Sequence, residues 1–161
     1  MCSSDLSAFS QQLGQAIAAG MGDQPSPSLS GLNAAFEPAR TPFDWLSRDP
    51  AEVDRYIADP LCGDDMPLTF GFLNELFDTV VPALEPAALA AIGCPVLLVT
   101  GERDPAADMG NFARQLEAAL RGAGVKTSSR FYADARHELL NEINRDEVTS
   151  DVVTWLGENA R

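Results

Sequence analysis

The chain has 161 residues, enough for one hydrophobic core, and 45% of them are apolar, which excludes a chain disordered throughout. Its 24 acidic against 11 basic residues give a net charge of −13 at pH 7. That balance argues against nucleic acid and anionic membrane surfaces as partners, while an uncharged ester or lipid substrate stays open.

The three cysteines, Cys2, Cys62 and Cys94, are too few and too scattered for a disulfide framework or a zinc site. No basic segment followed by an apolar run marks a signal peptide, and no apolar stretch approaches the ~20 residues that span a bilayer. A cytoplasmic protein without stable membrane insertion is therefore expected. At the start, "MCSSDL" resembles the translated tail of a sequencing-library adapter. Residues 1–6 are accordingly expected to be a non-native start, cut inside a longer reading frame.

Residues 7–93 read as interrupted helices with no strand-like alternation. "LSAFSQQLGQAIAAG" carries apolar residues at helical spacing and stops at Gly20, and "DQPSPSLSG" is a Pro/Ser loop. In "RDPAEVDRYIADP", Asp49 fits the N-cap, Pro50 the first helical position and Glu52 the third, the pattern of a capping box. Val53, Tyr56 and Ile57 form the apolar face of this helix, and Pro60 ends it. "CGDDMP" reads as a solvated loop, since its acids lack the further oxygen ligands of a calcium site. "TFGFLNELFDTVVPAL" places Phe70, Leu73, Leu76, Phe77 and Val80 on one side of a helix.

Residues 94–161 change character. "CPVLLVTGERD" is a short Val/Leu run bounded by Pro95 and Gly101, as in a strand buried on both faces of a parallel sheet. "MGNFARQLEAALRGAG" follows as a helix with Phe112, Leu116 and Leu120 inward, and "VKTSSRFYADA" as a more polar strand. "NRDEVTSDVVTWLGENA" closes the chain as a helix. Asn144 and Glu147 are expected to cap it, with Val148, Val152, Trp155 and Leu156 as its buried stripe. Strand, helix, strand, helix is one right-handed βαβ unit plus a closing helix.

Asp104 and His137 each fall just past the carboxyl end of a strand, one βα repeat apart. Neighbouring strands lie only ~4.8 Å apart, so the two loops adjoin at the edge where open α/β sheets place their chemistry. An Asp there can accept a hydrogen bond from the imidazole, fixing its tautomer and raising its basicity. A zinc-protease reading fails, because H-E-x-x-H needs a second histidine where Asn141 stands and His137 is the only histidine. A histidine merely satisfied by a backbone carbonyl is the bland alternative, and the matched Asp104 tips the balance toward catalysis.

These residues resemble a family. "PVLLVTGERDP", a helix, then "YADARHELLNEINRDEVTSDVVTWL" is similar to the C-terminal part of an α/β hydrolase. Within that superfamily it resembles the monoacylglycerol lipases and lysophospholipases of the serine aminopeptidase-like group. "RTPFDWLSRDPAEVDRYIADPLCG" resembles a segment of that family's helical cap.

The resemblance implies an α/β fold: a helical cap over 7–93, then the last two parallel strands and their helices over 94–161, truncated at the N-terminus. It implies hydrolysis of small-molecule carboxylic esters or lipids without a metal or other cofactor. In a triad ordered Ser, Asp, His, Asp104 would be the orienting acid and His137 the general base. The nucleophile has no match. No G-x-S-x-G is present, Ser30 sits in a Pro/Ser loop, and Ser128 and Ser129 lie in the strand leading to the histidine. Phe70, Phe72, Leu73 and Phe77 would either line an acyl-chain groove or pack the cap onto the sheet, and Trp45 and Tyr56 share that ambiguity. A second reading is a non-catalytic half-hydrolase serving as a binding or oligomerisation module. Its oligomeric state is open.

Overall fold

The computed structural model describes residues 3–26, 31–62 and 68–159, so Ser30 and most of the acidic "CGDDMP" loop lie outside the described residues. Helices α1 (Ser3–Ala18) and α3 (Phe70–Ala83) pair through apolar side chains. Leu13 and Leu73 are buried between them, and Phe9 meets Phe77 edge-on with ring centroids 4.9 Å apart. The chain between 22 and 26 lies against the start of α3. Phe70 N–H donates to Gln24 O at 3.1 Å and Gly71 N–H to Gly22 O at 2.9 Å. Only one isolated antiparallel bridge, Pro25 to Thr69, results among the described residues of this half.

Helix α2 (Pro50–Ala58) begins where its sequence says it should. The Asp49 carboxylate accepts from Ala51 N–H at 3.0 Å, and Pro50 occupies the first turn, where no N–H is needed. The capping box is only half built. Asp49 N–H donates to Ser47 Oγ at 3.0 Å, while Glu52 pairs with Arg55 and, at 3.6 Å, with Arg145. Two cations, chiefly the neighbouring Arg55, thus take the Glu52 carboxylate from the local cap. Val53 is buried, whereas Ile57, expected on the same apolar face, is exposed.

The second half holds two parallel strands, β1 (Val96–Gly101) and β2 (Thr127–Tyr132), paired in register from Val96–Thr127 to Gly101–Tyr132. Helix α5 (Asn111–Gly122) connects them, and the short α4 (Pro86–Ala90) precedes β1. Leu89, Leu120 and Val125 form one core, with Ile92, Val96, Leu98 and Leu116 packed around it. Tyr132, Ala135, Leu139 and Val148 form another, under the loop after β2.

Helix α6 (Arg145–Asn159) departs from its expected stripe. Val148 is buried, but Leu156 is 48% exposed, because the helix packs mainly on the 3-10 turn Leu139–Asn141 rather than across the strands. Its caps differ too. Asn144 amide Nδ2 donates to Glu147 at 2.9 Å and its Oδ1 accepts from Arg48 at 2.8 Å, leaving only its main-chain carbonyl for Val148 N–H.

Gly101, the last residue of β1, is where the two strand-end loops touch. A Cβ there would lie 2.3 Å from the carbonyl oxygens of both Ala135 and Arg136. Backbone blocks that space, so Gly101→Ala is expected to cost about 1–3 kcal/mol by overpacking. Gly157 in α6 has no atom within 4 Å of such a Cβ. Gly157→Ala should therefore stabilise by up to about 1 kcal/mol through helix propensity. Urea unfolding of both variants checks the opposite signs.

Candidate active site

The close approach at Gly101 brings the loop after β1 onto the loop after β2. Glu102 N–H donates to Tyr132 O and Arg103 N–H to Ala135 O, each at 3.0 Å. Asp104 follows, 6% exposed, as the cap of the 3-10 turn Pro105–Ala107. One carboxylate oxygen accepts from Ala106 N–H at 2.9 Å. The other faces His137 Nδ1, also at 2.9 Å. The main chain then turns sharply into α5 through three left-handed residues, Asp108 (φ 48°), Met109 (φ 53°) and Gly110 (φ 80°). Only the last is a glycine, so this turn carries backbone strain directly behind Asp104.

The imidazole is held on two further sides. Its ring lies 4.9 Å, centroid to centroid, from the buried Trp45 indole, tilted by 51°. The main chain around it pairs with residues just before α2: His137 N–H donates to Trp45 O at 3.4 Å and Glu138 N–H to Leu46 O at 2.8 Å. An ionised Asp104 can only accept, so the shared proton belongs on Nδ1 and the lone pair is left on Nε2. The His137 side chain keeps 41% of its surface exposed. The hydrogen bond to Asp104 raises the His137 pKa above 6.5, burial opposes it, and the charges of Asp104 and Glu138 add to the rise. The arrangement can accept a proton at Nε2 and stabilise the resulting imidazolium.

Phe70, Phe72, Leu73 and Phe77 sit on α3. Leu73 is buried, Phe77 is paired with Phe9, Phe70 is half-buried, and Phe72 is 54% exposed. The ring contact of His137 is with Trp45 and not with any of these phenylalanines. An open cleft of about 320 Å³ between Arg48, Tyr132, Ile143 and Glu147 includes neither Asp104 nor His137 in its lining. Among the described residues, no three His, Cys, Asp or Glu side chains converge as metal ligands.

Two residues beside the site escape the sequence reading. Glu142 is fully buried and accepts from Arg48 Nε at 2.8 Å and from Arg136 N–H at 2.8 Å, the latter being the residue before His137. No local spacing marks the pair, because Arg48 and Glu142 are 94 positions apart.

Residues 6–144 match the family described as serine aminopeptidase, S33. The fold matches a highly thermostable carboxyl esterase from Bacillus coagulans, solved with glycerol, at a TM-score of 0.81 and 22% identity over 96% of this chain and 53% of that one. It also matches a lipase in an open form, at a TM-score of 0.72 and 26% identity over 92% of this chain and 50% of that one. The chain therefore spans about half the length of each of these enzymes. With two parallel strands, their helices and the strand-end loops all inside the matched fold, the chain belongs to the serine aminopeptidase S33 family of α/β hydrolases.

Proposed function

We propose that this chain carries the base and the orienting acid of a carboxylic ester hydrolase, with the serine nucleophile supplied from sequence outside these 161 residues. The observation that carries the reading is the 2.9 Å contact between His137 Nδ1 and the buried Asp104 carboxylate at the carboxyl ends of two parallel strands. The esterase and lipase that share the fold support the substrate class.

In this reading residues 7–93 form the cap and 94–161 belong to the hydrolase core. His137 Nε2 takes the serine proton as the oxygen attacks the ester carbonyl, and Asp104 stabilises the imidazolium. Collapse of the tetrahedral intermediate breaks the ester C–O bond, and the Nε2 proton passes to the leaving alcohol. A water, deprotonated by the same nitrogen, then releases the carboxylic acid and the serine. No metal or organic cofactor enters these steps.

The finer substrate proposal is a single-chain lipid ester, as in monoacylglycerol lipases or lysophospholipases. Phe72 is the α3 side chain most open to an acyl chain. A cytoplasmic setting fits the free thiols Cys62 and Cys94, the second of them exposed.

The test begins with the reading frame upstream of Leu6. An upstream strand, G-x-S-x-G and helix would complete the enzyme, which should cleave p-nitrophenyl esters and monoacylglycerols. A native start next to Leu6 with no such frame would overturn the proposal in favour of a binding module.

Because His137 must be neutral to accept a proton, kcat/KM of the complete enzyme should rise with pH about a midpoint above 6.5. Asp104→Asn should lower both that midpoint and kcat, the latter by roughly 10⁴-fold. Rates independent of Asp104 would count against the dyad.

The same pairing contributes to stability. A histidine whose folded pKa lies above its unfolded 6.5 stabilises fully below that pH and loses the contribution as pH rises through the folded pKa. The melting-temperature gap between the natural chain and Asp104→Asn should therefore be wider near about pH 6 than near about pH 9, as thermal melts at the two pH values would show.

A further inference from the structure

A carboxylate withdrawn from water is strongly destabilising unless its lone pairs are used. Glu142 uses them on four donors: Arg48 Nε at 2.8 Å, Arg48 N–H at 3.2 Å, Arg136 N–H at 2.8 Å and Ile143 N–H at 3.0 Å. Two of these come from residue 48, ahead of α2, and one from the residue preceding His137. Arg136 returns the connection: its guanidinium donates to Asp44 O and, at 3.2 Å, to Ser47 O. Ser47 Oγ, itself buried, donates to Asn141 O at 2.8 Å. The histidine loop is thus fastened to residues 44–48 on both sides of His137.

We propose that Arg48 and Glu142 are positioning residues, whose ion pair, buried at its Glu142 end, fixes residues 135–138 to the segment bearing Trp45 and so holds the imidazole against Asp104. The proposal rests on the Asp104–His137 reading above and adds to it a link between the helical half and the base. A displacement of residues 44–48 would reach the imidazole through Arg136 N–H, Glu138 N–H and the Trp45 ring. The Arg145–Asp49 pair supplies an internal comparison. At 3.0 Å it joins the same two stretches of chain, and its guanidinium also reaches the Glu142 main-chain carbonyl at 3.1 Å, but it is partly exposed and has no bond to the Glu142 carboxylate, Arg136 or His137.

His137 is the only histidine, so its imidazole resonances in the full 161-residue chain are unambiguous. Proton–nitrogen NMR titration of the ¹⁵N-labelled chain would report both its tautomer and its pKa. The natural chain should show the Nδ1–H tautomer and a pKa above 6.5. Arg48→Lys keeps the cation and the residue-48 N–H while removing the planar fork. It should lower the pKa by about 0.5 or more and mix the tautomers, with secondary structure retained by circular dichroism. Glu142→Gln, which keeps the volume and loses the charge, is the second variant should the first fail to fold. Arg145→Ala should lower the melting temperature and leave the titration unchanged.

If folded Arg48→Lys or Glu142→Gln titrates like the natural chain while Asp104→Asn loses the raised pKa, the positioning role is overturned and the dyad stands. If Asp104→Asn leaves the titration untouched, the dyad reading itself fails.

Discussion

Glu142, a carboxylate with no access to water, fastens the first half of the chain to the second. Its charge is tolerated because four N–H groups converge on it, drawn from residues 48, 136 and 143. Removing any one donor leaves a buried charge under-satisfied, so the geometry of all three positions is tightly coupled. Residue 48 leads into α2, residue 136 precedes the histidine, and residue 143 leads into α6. One buried group therefore ties together the approaches to two helices and the residue before the histidine.

A second constraint acts from the sheet side. Parallel pairing ends both strands at the same level, with Gly101 opposite Tyr132. Only a residue without a side chain lets the carbonyls of Ala135 and Arg136 approach that closely. The result is a short path from each strand end to its functional residue: three positions from Gly101 to Asp104, and a tight turn from Tyr132 to His137. Short paths limit the freedom of both side chains, and Asp104 is limited further by the N–H of Ala106 on its second oxygen. The imidazole is thus constrained by Asp104 on one side, by Trp45 on another, and through its main chain by the Glu142 cluster.

What was legible in the sequence follows the range of the interactions involved. The β1 strand stood out because "PVLLVTG" is a continuous apolar run, and Asp104 and His137 stood out because a βα repeat sets them at matching strand ends. The N-cap of α2 was legible because Asp49 and Pro50 act within one turn. Glu52 departs from the capping box because its carboxylate pairs with Arg55 one turn on, and with Arg145 from the far end of the chain at 3.6 Å. Asn144 is drawn off in the same way, by Arg48. The expected α6 stripe holds only at Val148: Val152 and Trp155 are half-buried and Leu156 is exposed, because periodicity does not say how far a neighbouring surface extends. Glu142 could only be weighed as an isolated acid beside a histidine, since nothing within ten residues distinguishes it from a solvated glutamate.

The arginines show where the chain's few basic residues are spent. Arg40 reaches Asp54, Arg48 reaches Glu142, Arg136 reaches two carbonyls ahead of α2, and Arg145 reaches Asp49. Each of these four joins separate stretches of the chain. The exposed pairs contribute little to stability, and the Arg48–Glu142 pair differs because the Glu142 carboxylate has no access to water, although Arg48 keeps 23% of its side-chain surface. This has a consequence for the proposed chemistry. Triad members act as a unit in rate, yet here the base and its acid are positioned wholly by groups within the same 161 residues. A serine arriving from elsewhere must bring its oxygen within about 2.6–3.2 Å of Nε2, on the ring edge opposite Asp104, and must come with donors for the oxyanion of the tetrahedral intermediate. In the proposed reading, the pairing of Asp104 with His137 and the supply of the nucleophile are then separable problems.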